Sequence, residues 1–202
     1  MGTVAIVDYG VGNLKSVANA LSYLGCSSCI TAAPAELERA DAIILPGVGA
    51  FPDAADRLRS GGLDQHVLAQ GQKKPVLGIC LGMQLLLEQG REVRPCPGLG
   101  VIRGTVDRIP TQSKLPHIGW NSLRFFHHSP LFRGLDEGAY VYFVHSFSAQ
   151  DTDPAQVIAV TDYGPAVTAA VSSGNFYGTQ FHPEKSGEVG LTILRNFAGL
   201  NC

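Results

Sequence analysis

One short stretch of the sequence, Gly78-Ile79-Cys80-Leu81-Gly82, has the spacing that a nucleophilic thiol needs. Its glycines permit a tight turn from a strand into a helix, and such a turn exposes the middle side chain. A helix amino terminus favours the thiolate, which is the nucleophilic form of cysteine. A buried structural cysteine is the alternative interpretation, because free cysteine also packs like a small hydrophobic residue.

A second stretch, "GTQFHPEKSG", supplies a base. A cysteine nucleophile needs a group that takes its proton and later delivers one to the leaving group, and a third polar group usually orients that base. His182 can serve as the acid and base, and Glu184 as the carboxylate that orients it. Pro183 restricts the backbone between them. A lone histidine is more often packed or solvated, but this pattern after a predicted strand, together with Cys80, favours catalysis.

A third stretch, "LPGVGAF", follows a strongly apolar segment. Gly47, Val48 and Gly49 predict a turn whose backbone N–H groups could form an oxyanion hole. The other donor would be the N–H of Leu81, the residue after the nucleophile. An ordinary glycine-rich turn between strand and helix is the alternative.

The elements around these stretches predict an α/β fold. Apolar runs at 3–8, 41–47 and 75–79 read as buried strands, and they alternate with helical periods at 14–24 and at 51–70, the latter broken at Gly61-Gly62. This alternation indicates a mainly parallel central sheet flanked by helices. Short strands in the second half predict added antiparallel strands, before a closing helix. We expect one domain over residues 1–202, with Cys80 at the carboxyl edge of the sheet, where ligands bind in such folds.

Composition excludes several classes of protein. A formal charge of −2 gives no electrostatic case for nucleic acid or an anionic membrane. The start "MGTVAIVDYG" lacks the basic region of a signal peptide, and no apolar run reaches membrane-spanning length, so we expect a cytoplasmic protein. An odd number of cysteines without an export signal favours free thiols over a disulfide framework. The five are Cys26, Cys29, Cys80, Cys96 and Cys202.

Metal and nucleotide sites are poorly supported, and we expect no metal and no cofactor. Cys26 and Cys29 have a zinc-like or redox-like spacing, but no second pair follows them. His182 and Glu184 match half of a zinc deaminase signature, whose C-x-x-C should lie downstream, whereas here it lies upstream. The loop "YGVGN" lacks the third glycine of a dinucleotide site. The pair His127-His128 adjoins a predicted loop and is expected to be solvated.

Taken together, the motifs "LPGVGAF", "GICLGMQ" and "GTQFHPEKSG" resemble those of the class I (triad) glutamine amidotransferases. Within that family, "VDYGVGNLKSV", "PHIGWN", "YFVHSF" and "HPEKSG" are most similar to the glutaminase subunits of imidazole glycerol phosphate synthases, which act in histidine biosynthesis. The likeness extends from the first predicted strand to the last helix.

The resemblance implies a role for each matching residue. Cys80 would attack the side-chain amide of glutamine to form a thioester, His182 would protonate the ammonia and then activate water, and Glu184 would hold His182. Gln84 stands where the family uses a glutamine to hold the substrate. The backbone around His145, Ser146 and Phe147 would bind the amino acid end of glutamine. The family commonly has tyrosine at the last of these positions.

The resemblance also implies a partner. A separate (β/α)₈-barrel cyclase would receive the ammonia through a channel and add it to phosphoribulosyl-formimino-AICAR phosphate, giving imidazole glycerol phosphate and AICAR. We expect that polar or aromatic residues near strand ends border this partner, with plain loop structure as the alternative. They are Gly10, Val11, Gly12, Asn13, His117, Trp120, Asn121 and Lys185.

Other functions remain open from the sequence. A stand-alone thiol hydrolase of γ-glutamyl amides would share the triad but would need no partner. A catalytically silent binding subunit is disfavoured because Cys80, His182 and Glu184 are all present. The chain could also be the glutaminase subunit of another synthase, although "GICLGMQ" and "PHIGWN" do not resemble the glutaminase of pyridoxal phosphate synthesis.

Overall fold

A mixed eight-stranded sheet forms the centre of the molecule, whose computed structural model describes residues 2–200. The strands of this sheet are β1 (Val4–Val7), β2 (Ser28–Thr31), β3 (Ala42–Leu45), β4 (Val76–Ile79), β9 (Arg124–Phe125), β12 (Val157–Asp162), β13 (Ala166–Ser173) and β14 (Phe176–Thr179). The helices are α1 (Leu14–Tyr23), α2 (Pro34–Arg39), α3 (Phe51–Ser60), α4 (Leu63–Gly71), α5 (Leu81–Leu85) and α6 (Gly187–Ala198).

The strand order, β2-β1-β3-β4-β14-β13-β12-β9, places the parallel part and the antiparallel part of the sheet side by side. The first five strands in this order are parallel, and the last three run antiparallel to their neighbours. The prediction of a mainly parallel sheet with added antiparallel strands is therefore confirmed. Strands β4 and β14 are neighbours, which brings Cys80 and the segment after Thr179 to the same edge.

Helices cover both faces of the sheet, because its strands bury side chains on both sides. Along β1, Val4 and Ile6 belong to one hydrophobic cluster, which they share with α1 and α6. Ala5 and Val7 belong to the opposite cluster, which they share with α3, α4 and α5. Uninterrupted burial of a short apolar strand is the pattern expected for a parallel strand covered on both faces.

Two smaller sheets complete the fold. Strand β8 (His117–Ser122) pairs with β10 (Tyr140–His145). The other sheet has the order β11-β7-β5-β6, with strands β5 (Leu87–Gly90), β6 (Cys96–Pro97), β7 (Ile102–Arg108) and β11 (Phe147–Gln150). Only Ser146 separates β10 from β11, so the chain passes from one small sheet to the other at that residue.

The segment after Cys80 differs from its helical pattern. Helix α5 ends at Leu85, and the following residues form β5 instead of continuing the helix. The carbonyls of Leu85 and Leu86, which a longer helix would use, accept hydrogen bonds from the backbone N–H groups of Leu99, Val101 and Ile102. Helix α2 was also missed by the sequence pattern, whereas the predicted break at Gly61-Gly62 separates α3 from α4.

Several further predictions can be compared with the described residues. No helix within residues 2–200 is both long and apolar enough to cross a membrane. Cys29, Cys80 and Cys96 are free thiols, and Cys26 lies in the core, whereas Cys202 lies outside the described residues. That the whole chain 1–202 forms one domain stays a prediction.

Candidate active site

Cys80 occupies the tight turn between β4 and α5. Its φ of 55° and ψ of −108° are unusual for a residue other than glycine, and such outliers cluster at active sites. The flanking glycines make the turn possible, because a Cβ on Gly82 would lie 1.8 Å from the carbonyl oxygen of Leu45. A Cβ on Gly78 would lie 2.6 Å from the backbone of Gly82. The geometry presents the thiol at the end of a buried strand.

His182 and Glu184 lie beside Cys80, because β14 pairs with β4 and the chain continues from β14 to His182. The Nδ1 atom of His182 is 2.8 Å from Oε1 of Glu184. The two side chains are only 3% and 1% exposed. His182 also hydrogen bonds to the Cys80 side chain. Since Nδ1 is occupied by Glu184, Nε2 is the ring nitrogen left for the sulfur.

Opposing influences determine the pKa of His182. Burial lowers it, but the hydrogen bonds and charges of Cys80 and Glu184 outweigh burial and raise the pKa to about 9. The ring therefore carries its extra proton at neutral pH. A proton that could be given to a leaving group is thus already held next to the sulfur.

The glycine turn after β3 packs against the nucleophile turn. Gly47 is buried, and a Cβ there would lie 2.8 Å from the Tyr9 hydroxyl oxygen and 2.9 Å from the Gly82 nitrogen. The Tyr9 hydroxyl donates to the Pro46 carbonyl at 2.7 Å. Val48 and Gly49 are exposed and, with Leu81, line the cavity next to Cys80. The predicted oxyanion residues are thus together, with Gly47 beneath the others.

A cavity of about 370 Å³ opens beside Cys80, a volume that suits a small-molecule ligand. It is lined by Val48, Gly49, Cys80, Leu81, Gln84, Glu92, Pro116, Val144, His145, Ser146, Phe147, His182 and Lys185. All four residues predicted to bind substrate are in this set. Glu184 lies outside it, bonded to His182.

Gln180 is a site residue that the sequence analysis missed. Its Nε2 donates to the Cys80 sulfur at 3.7 Å, and its Oε1 accepts from Nε2 of Gln84 at 3.0 Å. Gln84 Nε2 also donates to the Phe147 carbonyl at 3.0 Å. A signal was available, because Gln180 precedes His182 by two residues, and side chains two apart on extended chain share one side.

Glu92 was missed as well, and no local pattern marks it. It follows β5 and is the acidic residue in the cavity lining, where its Oε2 accepts from the backbone N–H of Phe51 at 2.8 Å. Phe51 is the first residue of α3, so the carboxylate also satisfies a free N–H at that helix end. Glu92 places negative charge at the cavity wall.

The residues expected to border a partner are only partly on the surface. Trp120 is 55% exposed, and its ring lies beside Gly187, two residues after Lys185. Helix α1, which begins after the Gly10–Asn13 loop, packs near the turn Pro183–Lys185. These segments are therefore neighbours. His117, in contrast to that expectation, is 2% exposed, and its ring lies inside the molecule.

The expected absence of a metal stays a prediction. Within residues 2–200, no group of three or more His, Cys, Asp or Glu side chains is arranged to hold a metal ion. Cys29 is half-buried on β2, and His127 bonds through Nε2 to the Pro154 carbonyl at 3.1 Å.

Sequence comparison identifies relatives along nearly the whole chain. The family model "Glutamine amidotransferase class-I" matches residues 5–199. The chain is 48% identical over 200 residues to "Imidazole glycerol phosphate synthase subunit HisH" of Bacillus cereus (strain B4264), covering 98% of this chain and 94% of that protein. It is 45% identical over 198 residues to the protein of the same name from Bacillus anthracis (strain CDC 684 / NRRL 3495), with the same coverage.

Solved structures share the fold at lower identity. The crystal structure of a putative GMP synthase protein from Thermoplasma acidophilum has a TM-score of 0.76 at 23% identity, covering all of this chain and 94% of that one. The structure of PurLQS from Thermotoga maritima has a TM-score of 0.74 at 21% identity, covering 98% of both chains. At these identities the likeness concerns the fold alone.

Proposed function

The chain belongs to the class I glutamine amidotransferase family, and we propose that it hydrolyses glutamine as the glutaminase subunit of an imidazole glycerol phosphate synthase. It is an enzyme of histidine biosynthesis, and its partner is the cyclase subunit of that synthase. The observation that carries the catalytic assignment is the connected row of Cys80, His182 and Glu184 at one cavity.

In the first half of the reaction, the Cys80 sulfur attacks the side-chain carbonyl carbon of glutamine. The carbonyl π electrons move to the oxygen, which backbone N–H groups of the Gly47-Val48-Gly49 turn and of Leu81 would stabilise. The oxyanion then collapses, the C–N bond breaks, and His182 delivers its proton to the departing nitrogen. Ammonia leaves and a thioester on Cys80 remains.

In the second half, His182 acts as a base. It takes a proton from water as the water oxygen attacks the thioester carbon. The C–S bond then breaks, and glutamate and the Cys80 thiol are restored. Glu184 holds the ring through Nδ1 in both halves, so that Nε2 stays directed toward the reacting atoms.

The rest of the cavity wall suits the other end of glutamine. Gln84, His145, Ser146 and Phe147 would hold the substrate, with backbone groups of the last three facing its amino acid end. Glu92 adds a carboxylate that would attract the α-ammonium group. Phe147 stands where the family commonly has tyrosine, and a contact through its backbone would not need that hydroxyl.

Ammonia released into water would be protonated and diluted, so it must be used beside the site. We infer that the cyclase is a (β/α)₈ barrel that binds the exposed Trp120 surface and the segments next to it, including Gly10–Asn13, Asn121 and Lys185. It would join the ammonia to phosphoribulosyl-formimino-AICAR phosphate in the cytoplasm.

The test is glutamate release from glutamine by the purified chain, alone and with the cyclase carrying its nucleotide ligand. We expect weak activity alone, a strong increase with the loaded cyclase, and none in Cys80→Ala. High activity that ignores the cyclase would instead identify a stand-alone thiol hydrolase. No activity under either condition would reject a glutaminase.

A further inference from the structure

Two buried histidines connect an outer strand to the substrate cavity. His117 on β8 and His145 on β10 are paired in register across the two-stranded sheet. They are 2% and 6% exposed, and Nδ1 of His117 lies 3.2 Å from Nε2 of His145. The catalytic steps described above use neither imidazole.

The hydrogen-bond partners determine which nitrogen of each ring carries the proton. The Phe147 carbonyl can only accept, so Nδ1 of His145, at 2.8 Å, must donate to it. In a neutral ring Nε2 of His145 then has no proton and accepts, which requires Nδ1 of His117 to donate. The His117 Nε2 is therefore the acceptor for the amide of Asn121, at 3.3 Å.

The outer end of this chain agrees with that direction. The Asn121 amide nitrogen has two hydrogens, and its second contact is the carbonyl of Asp162 at 2.9 Å. The Asn121 amide oxygen accepts from the backbone N–H of Ser122 at 2.9 Å. Every donor from Asn121 to Phe147 thus has an acceptor, and one arrangement of protons satisfies them all.

The surroundings keep both rings neutral and fixed in orientation. Burial lowers the pKa of His117 and lowers that of His145 to about 4, where the nearby charge of His182 acts in the same direction. The His117 ring stacks on Phe143 at 4.7 Å and on Tyr163 at 3.9 Å between ring centroids.

The inner end of the chain holds two parts of the cavity wall. The Phe147 carbonyl accepts both from His145 and from Nε2 of Gln84. Losing the first bond would free the Phe147 peptide to rotate, and Gln84 would lose its fixed partner. Both residues line the cavity in which glutamine is proposed to bind.

We propose that His117 is a positioning residue for glutamine: its Nδ1–H fixes the tautomer of His145, which holds the Phe147 carbonyl and Gln84 in their binding orientation. The inference rests on the proposed glutaminase function. It predicts an effect on substrate binding, because neither histidine reaches the reacting carbon through this chain.

A pair of variants separates this role from simple packing. His117→Phe keeps a stacking ring but removes the donor, whereas His117→Asn keeps an N–H near the position of Nδ1. We measure glutamate release in the complex with the loaded cyclase. For His117→Phe we expect the KM for glutamine to rise about tenfold with kcat changed less than about threefold, as for one lost buried hydrogen bond. For His117→Asn we expect KM within about threefold of the unaltered chain.

Two kinetic results would overturn the proposal: a KM for His117→Phe within about twofold of the unaltered chain, or equal KM values for the two variants. A complex of the unaltered chain that releases no glutamate would instead reject the glutaminase function itself.

A second measurement needs no variant and decides the matter if His117→Phe does not fold. Nitrogen-15 NMR of the histidine-labelled, unaltered chain reports which ring nitrogen is protonated. We expect Nδ1–H and a bare Nε2 on both His117 and His145. A proton on Nε2 of either ring at neutral pH contradicts the chain of hydrogen bonds and the proposal.

Discussion

Gln180 donates a hydrogen bond to the sulfur of Cys80 across 3.7 Å, although 100 residues separate them in the sequence. The contact exists because β14 and β4 are adjacent parallel strands, so their carboxyl ends meet at one edge. Gln180 also accepts from Gln84 and therefore connects the nucleophile to the cavity wall. An N–H directed at sulfur stabilises negative charge there.

Gln180→Leu is expected to lower kcat/KM for glutamine about tenfold, because it removes a buried hydrogen bond to the sulfur and leaves Gln84 without its acceptor. The measurement is steady-state glutamate release in the cyclase complex. Gln65→Leu, at an exposed glutamine, is the matched control and should leave kcat/KM unchanged. Equal values for both variants would show that Gln180 does not support the nucleophile.

Cys80→Ala is expected to lower the pKa of His182 from about 9, because the thiol raises that pKa through its hydrogen bond and its charge. An NMR titration of the His182 ring in both proteins measures the change. Cys96→Ala, which removes another buried thiol, is the control and should leave the His182 pKa unchanged. An unchanged pKa in Cys80→Ala would mean that the sulfur and the ring do not interact.

The same ionisation predicts how stability depends on pH. The folded-state pKa of His182, about 9, lies above its ordinary value of 6.5, so the folded chain binds this proton more tightly than the unfolded chain. The resulting stabilisation is fully present below pH 6.5 and is lost as the pH rises through 9. Urea unfolding at a series of pH values should show a smaller loss over this range in Cys80→Ala than in the unaltered chain. The same loss in both proteins would contradict the prediction.

Gly47→Ala is expected to lower kcat about tenfold or more, because the new methyl group collides with Tyr9 and with the Leu81–Gly82 turn and displaces the predicted oxyanion donors. Glutamate release at saturating glutamine measures it. Gly61→Ala is the control, since its methyl group would be 3.7 Å from the nearest atom, an ordinary contact. Full activity in Gly47→Ala would place the oxyanion donors elsewhere.

Lys74→Met is expected to reduce the free energy of unfolding by about 2 kcal/mol, because three buried hydrogen bonds are lost. The Lys74 ammonium donates to the carbonyls of Leu37, Glu38 and Ala40, at the end of α2. Urea unfolding measures the difference. The neighbouring Lys73 is exposed, so Lys73→Met should change the free energy by less than about 0.5 kcal/mol. Equal effects would remove any special role of Lys74.

Trp120→Ala is expected to weaken binding of the cyclase by about tenfold or more, because exposed aromatic residues often dominate such interfaces. Calorimetric titration with the cyclase measures the affinity. Phe126, which is 49% exposed, offers a control away from the predicted surface, and Phe126→Ala should bind normally. Normal binding by Trp120→Ala would move the interface elsewhere.

Local patterns carried most of the fold and the centre of the candidate site. The alternation of apolar runs and helical periods was sufficient for the parallel part of the sheet, because strand burial and helix amphipathicity are properties of neighbouring residues. The glycines around Cys80 and the His182-Pro183-Glu184 sequence are local as well. Helix α5 is shorter than its pattern predicts, since the backbone of residues 99–102 competes for its last carbonyls.

The sequence by itself therefore determined the types of the principal groups, a thiol on a tight turn and a histidine next to a carboxylate, and the class of sheet that could bring them together. Only the tertiary structure decided what supports them. Gln180 meets Cys80, Glu92 reaches the cavity, and the His117 ring is buried against His145 because strands remote in the chain lie side by side. Such contacts depend on strand order and register, which local residue patterns do not specify.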